Sequence, residues 1–198
     1  MIVITNLKGK IEESSTKITL VDIDLNRFKP VNDVFGHATG DRALVATAQL
    51  LQDSIRLHDI AGRLGGDEFS VLLTSATSEE AKAVFDRLSS NFEQLLLPID
   101  PTAKINISDK DLMKLKLPND DPRNQKENWQ VTDLSQEEYR KLGLDVRFTD
   151  QDEVFLSIDA TLGMAIAKPG MTADELEANA DENMYQNKSI AGWEHYSR

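Results

Sequence analysis

Two stretches decide the fold of this chain: residues 22–41, DIDLNRFKPVNDVFGHATGD, and residues 63–69, RLGGDEF. The first overlaps residues 17–25, whose alternation of apolar and polar side chains predicts a strand that ends in carboxylates. Both stretches combine glycines with carboxylates. Glycine lets backbone approach a phosphate closely, and carboxylates suit a divalent metal ion. The sequence therefore directs attention to a site in which phosphate and metal are handled together.

The second stretch predicts a hairpin. Short apolar runs lie on either side of Gly65 and Gly66, and paired glycines supply a tight turn between strands. The next two residues, Asp67 and Glu68, are then expected at the hairpin tip. Taken alone, the four residues also fit a surface turn in an acidic protein.

Periodicity predicts three further elements around these stretches. Asp41 is expected to cap a helix that runs to about Arg56, and a second helix should begin at Ser78. Residues 160–167 predict a buried strand. Thr172 and Glu175 form the pattern of a capping box, which predicts a last helix to about Lys188.

Residues 98–153 differ in character from the rest of the chain. They are rich in Asp, Asn, Lys and Pro, with helix signals at residues 108–115 and 134–142. A structureless loop of that length is improbable inside a compact domain. We therefore expect an insertion with some structure of its own, within a single domain of residues 1–198 that has a lead-in at residues 1–16.

Composition limits the class of protein. The 198 residues carry a net charge of −12, which argues against a general nucleic-acid surface. No apolar run has the length of a membrane span, so no membrane segment is expected. The chain has no Cys, which removes disulfides and thiol ligands and fits a reducing compartment. A cytoplasmic protein that recruits metal to handle phosphates is the expectation.

The spacing of residues across both stretches resembles the GGDEF family of diguanylate cyclases. With Asp24 as the first position, the family's pattern continues without a gap through Phe28-Lys29, Asn32-Asp33, Gly36-His37 and Gly40-Asp41, and then through RLGGDEF. The resemblance implies an α/β (α+β) fold of the palm-like, ferredoxin or nucleotide-cyclase type, with an antiparallel sheet flanked by helices. It also implies condensation of two GTP molecules into cyclic di-GMP and pyrophosphate.

The resemblance assigns roles to the acidic residues. It implies that Asp24, Asp67 and Glu68 hold Mg²⁺ or Mn²⁺, with Asp67 and Glu68 as the catalytic pair. Asp67 would serve as a ligand or would assist deprotonation of the 3′-hydroxyl. Asp22 lies on the same strand face as Asp24 and is either a surface residue or an alternative ligand.

The resemblance also assigns the GTP contacts, which are Lys29, Asn32, Asp41, Gly65, Gly66 and Lys188. Asn32 and Asp41 would recognise guanine, whose N1–H and exocyclic amine suit a carboxylate acceptor. Lys29 and Lys188 would contact the terminal phosphates as point charges. Outside the motif, Asp41 would be only a helix cap, Asn32 part of a turn, and Lys188 a solvent-facing residue.

Arg56 and Asp59 match a second pattern of the family, the R-x-x-D site at which cyclic di-GMP inhibits the enzyme. Arg suits bidentate phosphate and guanine-edge recognition, and Asp accepts from guanine N–H groups. The alternative interpretation is an exposed ion pair at a helix end.

Several positions depart from the family pattern. Residues 2–10 keep only part of the family's opening motif, so the helix there should be short or absent. Asn26 stands where the family has a second Asp, Thr161 where it has Ser, and no Arg follows Lys188 in the expected place. These changes spare the expected metal and guanine positions, and they put turnover in doubt more than the fold.

Three functions therefore compete. The leading one is an active diguanylate cyclase, which needs two GTP half-sites facing each other and hence a homodimer. The second is a non-catalytic module that binds GTP or cyclic di-GMP and regulates a partner. The third is a related cyclase that makes another cyclic dinucleotide, against which Asn32 and Asp41 favour guanine.

Overall fold

The structure is a computed structural model that describes residues 17–191. Its strands are β1 Ile18–Leu25, β2 Ile60–Gly65, β3 Glu68–Thr74, β4 Leu96–Ile99, β5 Lys104–Ile105, β6 Trp129–Gln130, β7 Val146–Phe148, β8 Val154–Ser157 and β9 Ala160–Ile166. Its α-helices are α1 Phe28–Phe35, α2 His37–Ser54, α3 Ser78–Glu93, α4 Asp109–Leu115, α5 Gln136–Lys141 and α6 Ala173–Ala191. Short 3₁₀ turns lie at Pro122–Gln125 and Val131–Asp133.

Contacts divide the described chain into two compact units. The first contains residues up to 26, residues 46–93 and residues from 159 onward. Its sheet has the strand order β2-β3-β1-β9, and every neighbouring pair is antiparallel. Helices α6 and α3 pack against this sheet. The antiparallel sheet flanked by helices that the family resemblance implied is thereby confirmed.

An apolar core joins α6 to one face of the first unit's sheet. It is formed by Ile18, Leu20, Leu72, Ala165, Ala173, Leu176 and Ala180. Beyond this core α6 comes very close to β9 at Gly163, where an added Cβ would lie 2.2 Å from the Ala180 carbonyl oxygen. Because Gly163 is the register partner of Asp22, this close approach brings the later turns of α6 beside the acidic end of β1.

The second unit contains residues 27–45 and 94–158. It has a three-stranded sheet in the order β4-β8-β7 and the two-stranded pair β5-β6. Residues 98–153 are therefore structured, and they pack against α1. The Tyr139 ring stacks on Phe35 at a centroid distance of 5.7 Å, and the Asn106 N–H donates to the Val34 carbonyl at 2.8 Å. The assignment of the whole chain to a single domain stays a prediction.

The prediction that Asp41 caps a helix is wrong. Helix α2 begins at His37, so Asp41 lies within it. The preceding Gly36 has φ +81°, a left-handed conformation that ends α1 and lets the chain turn directly into α2. Helix α1 itself was not predicted, because its eight residues contain Pro30 and carry the motif residues rather than a long apolar stripe.

The remaining helix predictions are confirmed. Helix α3 begins at Ser78, and α4 and α5 lie within the two segments that carried helix signals. At the start of α6 the Thr172 hydroxyl accepts from the Glu175 N–H, and the Glu175 carboxylate accepts from the Thr172 N–H. The expectation for residues 2–10 falls outside the described residues. No helix within residues 17–191 has the length and apolar character needed to cross a membrane.

Candidate active site

Asp24 and Glu68 face each other across two neighbouring strands of the first unit. They are register partners in the antiparallel pair of β1 and β3, with Asp24 near the end of β1 and Glu68 at the start of β3. Residues that are directly opposite in such a pair have side chains on the same face, about 5 Å apart at Cβ. The fold therefore brings together two carboxylates that are 44 positions apart in the sequence.

The hairpin before Glu68 has the predicted tight turn. Gly65 pairs with Glu68, and Gly66 and Asp67 form the two-residue connection, with Gly66 at φ +52°. The Asp67 carbonyl accepts from the Leu25 N–H at 3.2 Å, which fastens the turn to the end of β1. An added Cβ at Gly65 would meet no atom within 4 Å, so the backbone there borders open space. A phosphate or ribose could approach it closely.

Lys188 lies on the Asp24 side of this pair. Its ammonium is 2.9 Å from Asp24 Oδ1, and the two side chains are only 9% and 15% exposed. The interpretation of Lys188 as a solvent-facing residue of the last helix is therefore wrong. Helix α6 turns it toward the sheet, where it forms a buried ion pair.

The carboxyl groups of Asp24, Asp67 and Glu68 lie close enough together to interact electrostatically. Burial raises the pKa of the Asp24 carboxyl above its ordinary value, against the lowering effect of Lys188, and Asp67 raises it further. Burial also raises the pKa of the Glu68 carboxyl, as do the neighbouring Asp24 and Asp67. Three negative groups so close together repel one another, and a cation among them relieves the repulsion.

Asp22 lies buried close to the site. Of the two interpretations, a surface residue or an alternative ligand, the first is therefore wrong. Asp22 is 6% exposed and accepts a short hydrogen bond from the Ser70 hydroxyl. Burial raises the pKa of the Asp22 carboxyl to about 6, with Glu177 and Asp181 adding to the effect and Ser70 opposing it. The alternation along β1 put Asp22 on the face of Asp24, but the covering helix was not predictable from it.

A cavity of about 420 Å³ lies against the same face of the first unit. Half of its lining residues are apolar, and its acidic lining residues are Asp22, Glu68, Asp174, Glu177 and Asp181. Sequence reasoning missed the three acidic residues of α6. The signal was their spacing, since positions three and four apart on a helix share a face.

The residues fit a hard divalent cation by chemistry. Asp24, Asp67 and Glu68 offer carboxylate oxygens, which Mg²⁺ and Mn²⁺ prefer, and their mutual repulsion favours a bound cation. Among the described residues, no three acidic or histidine side chains are already arranged around a common point. One oxygen of Asp24 is held by Lys188 instead.

Two departures from the family pattern contact each other. The Thr161 hydroxyl donates to Asn26 Oδ1 at 2.8 Å, and the Asn26 amide donates to Asp159 Oδ2 at 3.0 Å. An Asp at position 26 would place a second carboxylate against Asp159. Asn26 is therefore suited to its surroundings, and the pair ties the end of β1 to the start of β9.

The expected guanine residues lie in the second unit. Asn32 packs against Gly40, where an added Cβ would lie 2.0 Å from Asn32 Oδ1. Gly40 is thus the position that lets the Asn32 side chain lie where it does. Lys29 and Asp41 are exposed. The roles of Asn32, Lys29 and Asp41 in nucleotide binding stay predictions.

Arg56 and Asp59 do not pair with each other through their side chains. The Asp59 carboxylate accepts from the Thr74 N–H at 3.0 Å and from the Arg56 N–H at 3.2 Å. The Arg56 guanidinium lies 3.3 Å from Glu80, and both partners are exposed. Asp59 therefore supports the local backbone, while Arg56 is held by a surface pair that a ligand could displace.

Comparison with known proteins identifies the family. A family model described as "Diguanylate cyclase, GGDEF domain" matches residues 3–108, which is more than half of the chain. The chain belongs to the GGDEF domain family. It is 40% identical over 90 residues to the probable diguanylate cyclase DgcC of Escherichia coli K12, a match that covers 46% of this chain and 24% of DgcC. The chain thus spans about a quarter of the length of that curated relative.

Solved structures agree on the fold. A sensory box/GGDEF family protein from Caulobacter crescentus CB15 has a TM-score of 0.58 and 26% identity, covering 94% of this chain and 89% of that one. The GGDEF domain of YfiN, also called TpbB, from Pseudomonas aeruginosa has a TM-score of 0.62 and 24% identity. That match covers 96% of this chain and 88% of that one.

Proposed function

We propose that this chain is a diguanylate cyclase domain, which condenses two GTP molecules into cyclic di-GMP and releases pyrophosphate. The observation that carries the proposal is the cluster at the ends of β1 and β3. Asp24 and Glu68 are register partners, Asp67 follows the paired glycines, and Lys188 supplies a buried cation. Membership of the GGDEF family supports the same reaction.

Asp24, Asp67 and Glu68 would hold Mg²⁺ or Mn²⁺ in this proposal. The metal would neutralise charge that develops on the phosphoryl oxygens during transfer. Gly65 and Gly66 present backbone without side chains to the substrate. In this proposal Asp67, at the hairpin tip, would accept the proton of the 3′-hydroxyl if it is not itself a ligand.

Recognition of guanine is assigned to Asn32 and Asp41, and recognition of the terminal phosphates to Lys29 and Lys188. A carboxylate such as that of Asp41 accepts from guanine N1–H and the exocyclic amine, which adenine cannot offer in that pattern. The fit of Asn32 against Gly40 supports a fixed orientation for its amide. This set favours GTP over ATP as the substrate.

The reaction requires two copies of the domain. Each phosphodiester bond forms between the 3′-oxygen of one GTP and the α-phosphate of the other, and we assign one GTP to each copy. A homodimer is therefore part of the proposal, with cyclic di-GMP as product and inhibitor.

The experiment that tests the proposal is incubation of the purified chain with GTP and Mg²⁺ or Mn²⁺, followed by mass analysis of the products. We expect cyclic di-GMP and pyrophosphate, formed at a rate that rises more steeply than in proportion to protein concentration. ATP in place of GTP should give no cyclic product. A chain that binds GTP and metal but forms no product, even at high concentration, would contradict the proposed reaction.

A non-catalytic binding module is the second candidate. The observation that favours it is the Lys188 ammonium on Asp24, which holds an oxygen that a metal would need. The same incubation separates the two candidates, because a binding module retains GTP or cyclic di-GMP without turnover.

We also propose that cyclic di-GMP binds at Arg56 and Asp59 and inhibits the enzyme. Arg56→Ala removes a fork of donors and should weaken cyclic di-GMP binding by about tenfold or more, while GTP binding stays unchanged. Calorimetric titration of both ligands measures the two effects. If Arg56→Ala binds cyclic di-GMP as tightly as wild type, Arg56 forms only a surface ion pair and is not part of a binding site.

Glu80 gives a control of opposite sign for this site. Glu80→Gln keeps the cap on the Thr77 N–H but releases Arg56, so cyclic di-GMP should bind more tightly. Glu79→Gln removes the same charge one residue away and should have little effect. If both variants change the affinity equally, general electrostatics and not the release of Arg56 is the cause.

A further inference from the structure

We infer that Lys188 holds the metal position of the free protein and is released by metal binding to receive the nucleotide phosphates. The inference rests on the proposed function. It goes beyond it by linking the two ligands through the exchange of one side chain. Lys188 is a positioning residue in this scheme until it reaches the phosphate.

The geometry of the ion pair carries the first step. The ammonium lies 2.9 Å from Asp24 Oδ1, with both side chains largely buried. A divalent ion binds this carboxylate less well while the ammonium stays, because the two cations repel each other and draw on the same negative charge. Metal and Lys188 therefore compete for Asp24.

The surroundings explain why a cation is kept there at all. Asp24 is close enough to Asp67 and Asp181 for each to raise its pKa, and Glu68 lies directly opposite. Leaving this group without a cation would bury uncompensated negative charge, which is costly. In the absence of metal, Lys188 compensates the negative charge of Asp24. A bound metal ion takes over that compensation.

The second step follows from where Lys188 is attached. Position 188 is near the end of α6, three residues before the last described residue, and the side chain has four rotatable bonds. Once displaced, the ammonium is repelled by the metal ion and is stabilised next to an anion. The triphosphate of the substrate supplies that anion, so metal and nucleotide should each favour binding of the other.

Variants at this position give two effects of opposite sign. Lys188→Met removes the competitor and should tighten Mn²⁺ binding, measured without nucleotide by water-proton relaxation, by about tenfold or more. The same variant should weaken a non-hydrolysable GTP analogue at saturating Mn²⁺ by about tenfold. A residue with a merely structural role would weaken both ligands together when replaced.

Two control variants distinguish the displacement of Lys188 from Asp24 from a general effect of removing a positive charge. Lys168→Met removes the same charge from an exposed lysine and should leave Mn²⁺ binding within about twofold of wild type. Lys188→Arg keeps the cation and should keep weak Mn²⁺ binding. Equal tightening in both Met variants would overturn the inference.

A measurement on the wild-type chain avoids any loss of folding in the variants. Saturating Mn²⁺ should raise the rate at which an amine-reactive reagent labels Lys188, read by mass spectrometry, while labelling of Lys168 stays constant. Mn²⁺ that binds without changing the labelling of Lys188 would overturn the exchange and leave the metal site standing. Absence of Mn²⁺ binding in both wild type and Lys188→Met would overturn the metal site and the inference together.

Discussion

Glu68→Gln and Asp24→Asn should each lower the rate of cyclic di-GMP formation by about a hundredfold or more. Each change removes charge from the cluster without changing the size of the side chain. Glu68 and Asp24 are register partners on β3 and β1, so loss of either leaves the proposed metal with one fewer carboxylate. Initial rates with GTP and Mn²⁺, measured at one protein concentration, give the comparison.

The control for this pair is a glutamate on the same helix as Lys188 but outside the cluster. Glu182 is exposed on α6, and Glu182→Gln should keep the wild-type rate. Thermal unfolding of all the variants shows whether lost activity reflects lost folding. A Glu68→Gln protein that is folded and turns over at the wild-type rate would remove Glu68 from the metal site.

Asp22→Asn should stabilise the protein by about 3 kcal/mol at pH 7.5, measured in EDTA by urea unfolding. Burial raises the pKa of the Asp22 carboxyl from its ordinary 3.8 to about 6. The folded state therefore binds more protons than the unfolded state between these pH values, and the unfolding free energy falls as the pH rises. The penalty is complete above about pH 6, and Asn does not carry it.

The pH dependence distinguishes this cause from a packing effect. Asn keeps an acceptor for the Ser70 hydroxyl and matches the volume of Asp, so the gain from Asp22→Asn should shrink to nearly nothing by pH 4. Asp181→Asn, at an exposed position of the same acidic face, should give a much smaller gain. A gain for Asp22→Asn that is equal at pH 4 and pH 7.5 would show that the charge of Asp22 is not its source.

The order of the elements around the motif followed from local sequence. Alternation in β1, the paired glycines of the hairpin and the capping box of Thr172 and Glu175 are short-range signals, and each predicted its element near its observed place. The helix cap assigned to Asp41 failed for a local reason as well. Gly36 ends one helix by a left-handed turn, and the next begins at once at His37.

The packing partner of residues 98–153 could not be predicted from the sequence. Helix signals at residues 108–115 and 134–142 indicated local order, and Ser108 and Ser135 cap α4 and α5 in the structure. Their packing partner was not visible, because the stacking of Tyr139 on Phe35 joins positions that are far apart in the chain. No periodicity within a segment states which distant segment covers it.

Some features of the candidate site were likewise predicted from the sequence, and others were visible only in the structure. The type and spacing of Asp24, Asp67, Glu68 and the paired glycines were enough to propose them as residues of the site. The contact of Lys188 with Asp24 and the burial of Asp22 beneath the acidic helix α6 could be seen only in the folded chain. The physical reason is that burial and ion pairing depend on where α6 crosses the sheet. The close approach at Gly163 sets that crossing, and nothing in the spacing along the chain encodes it.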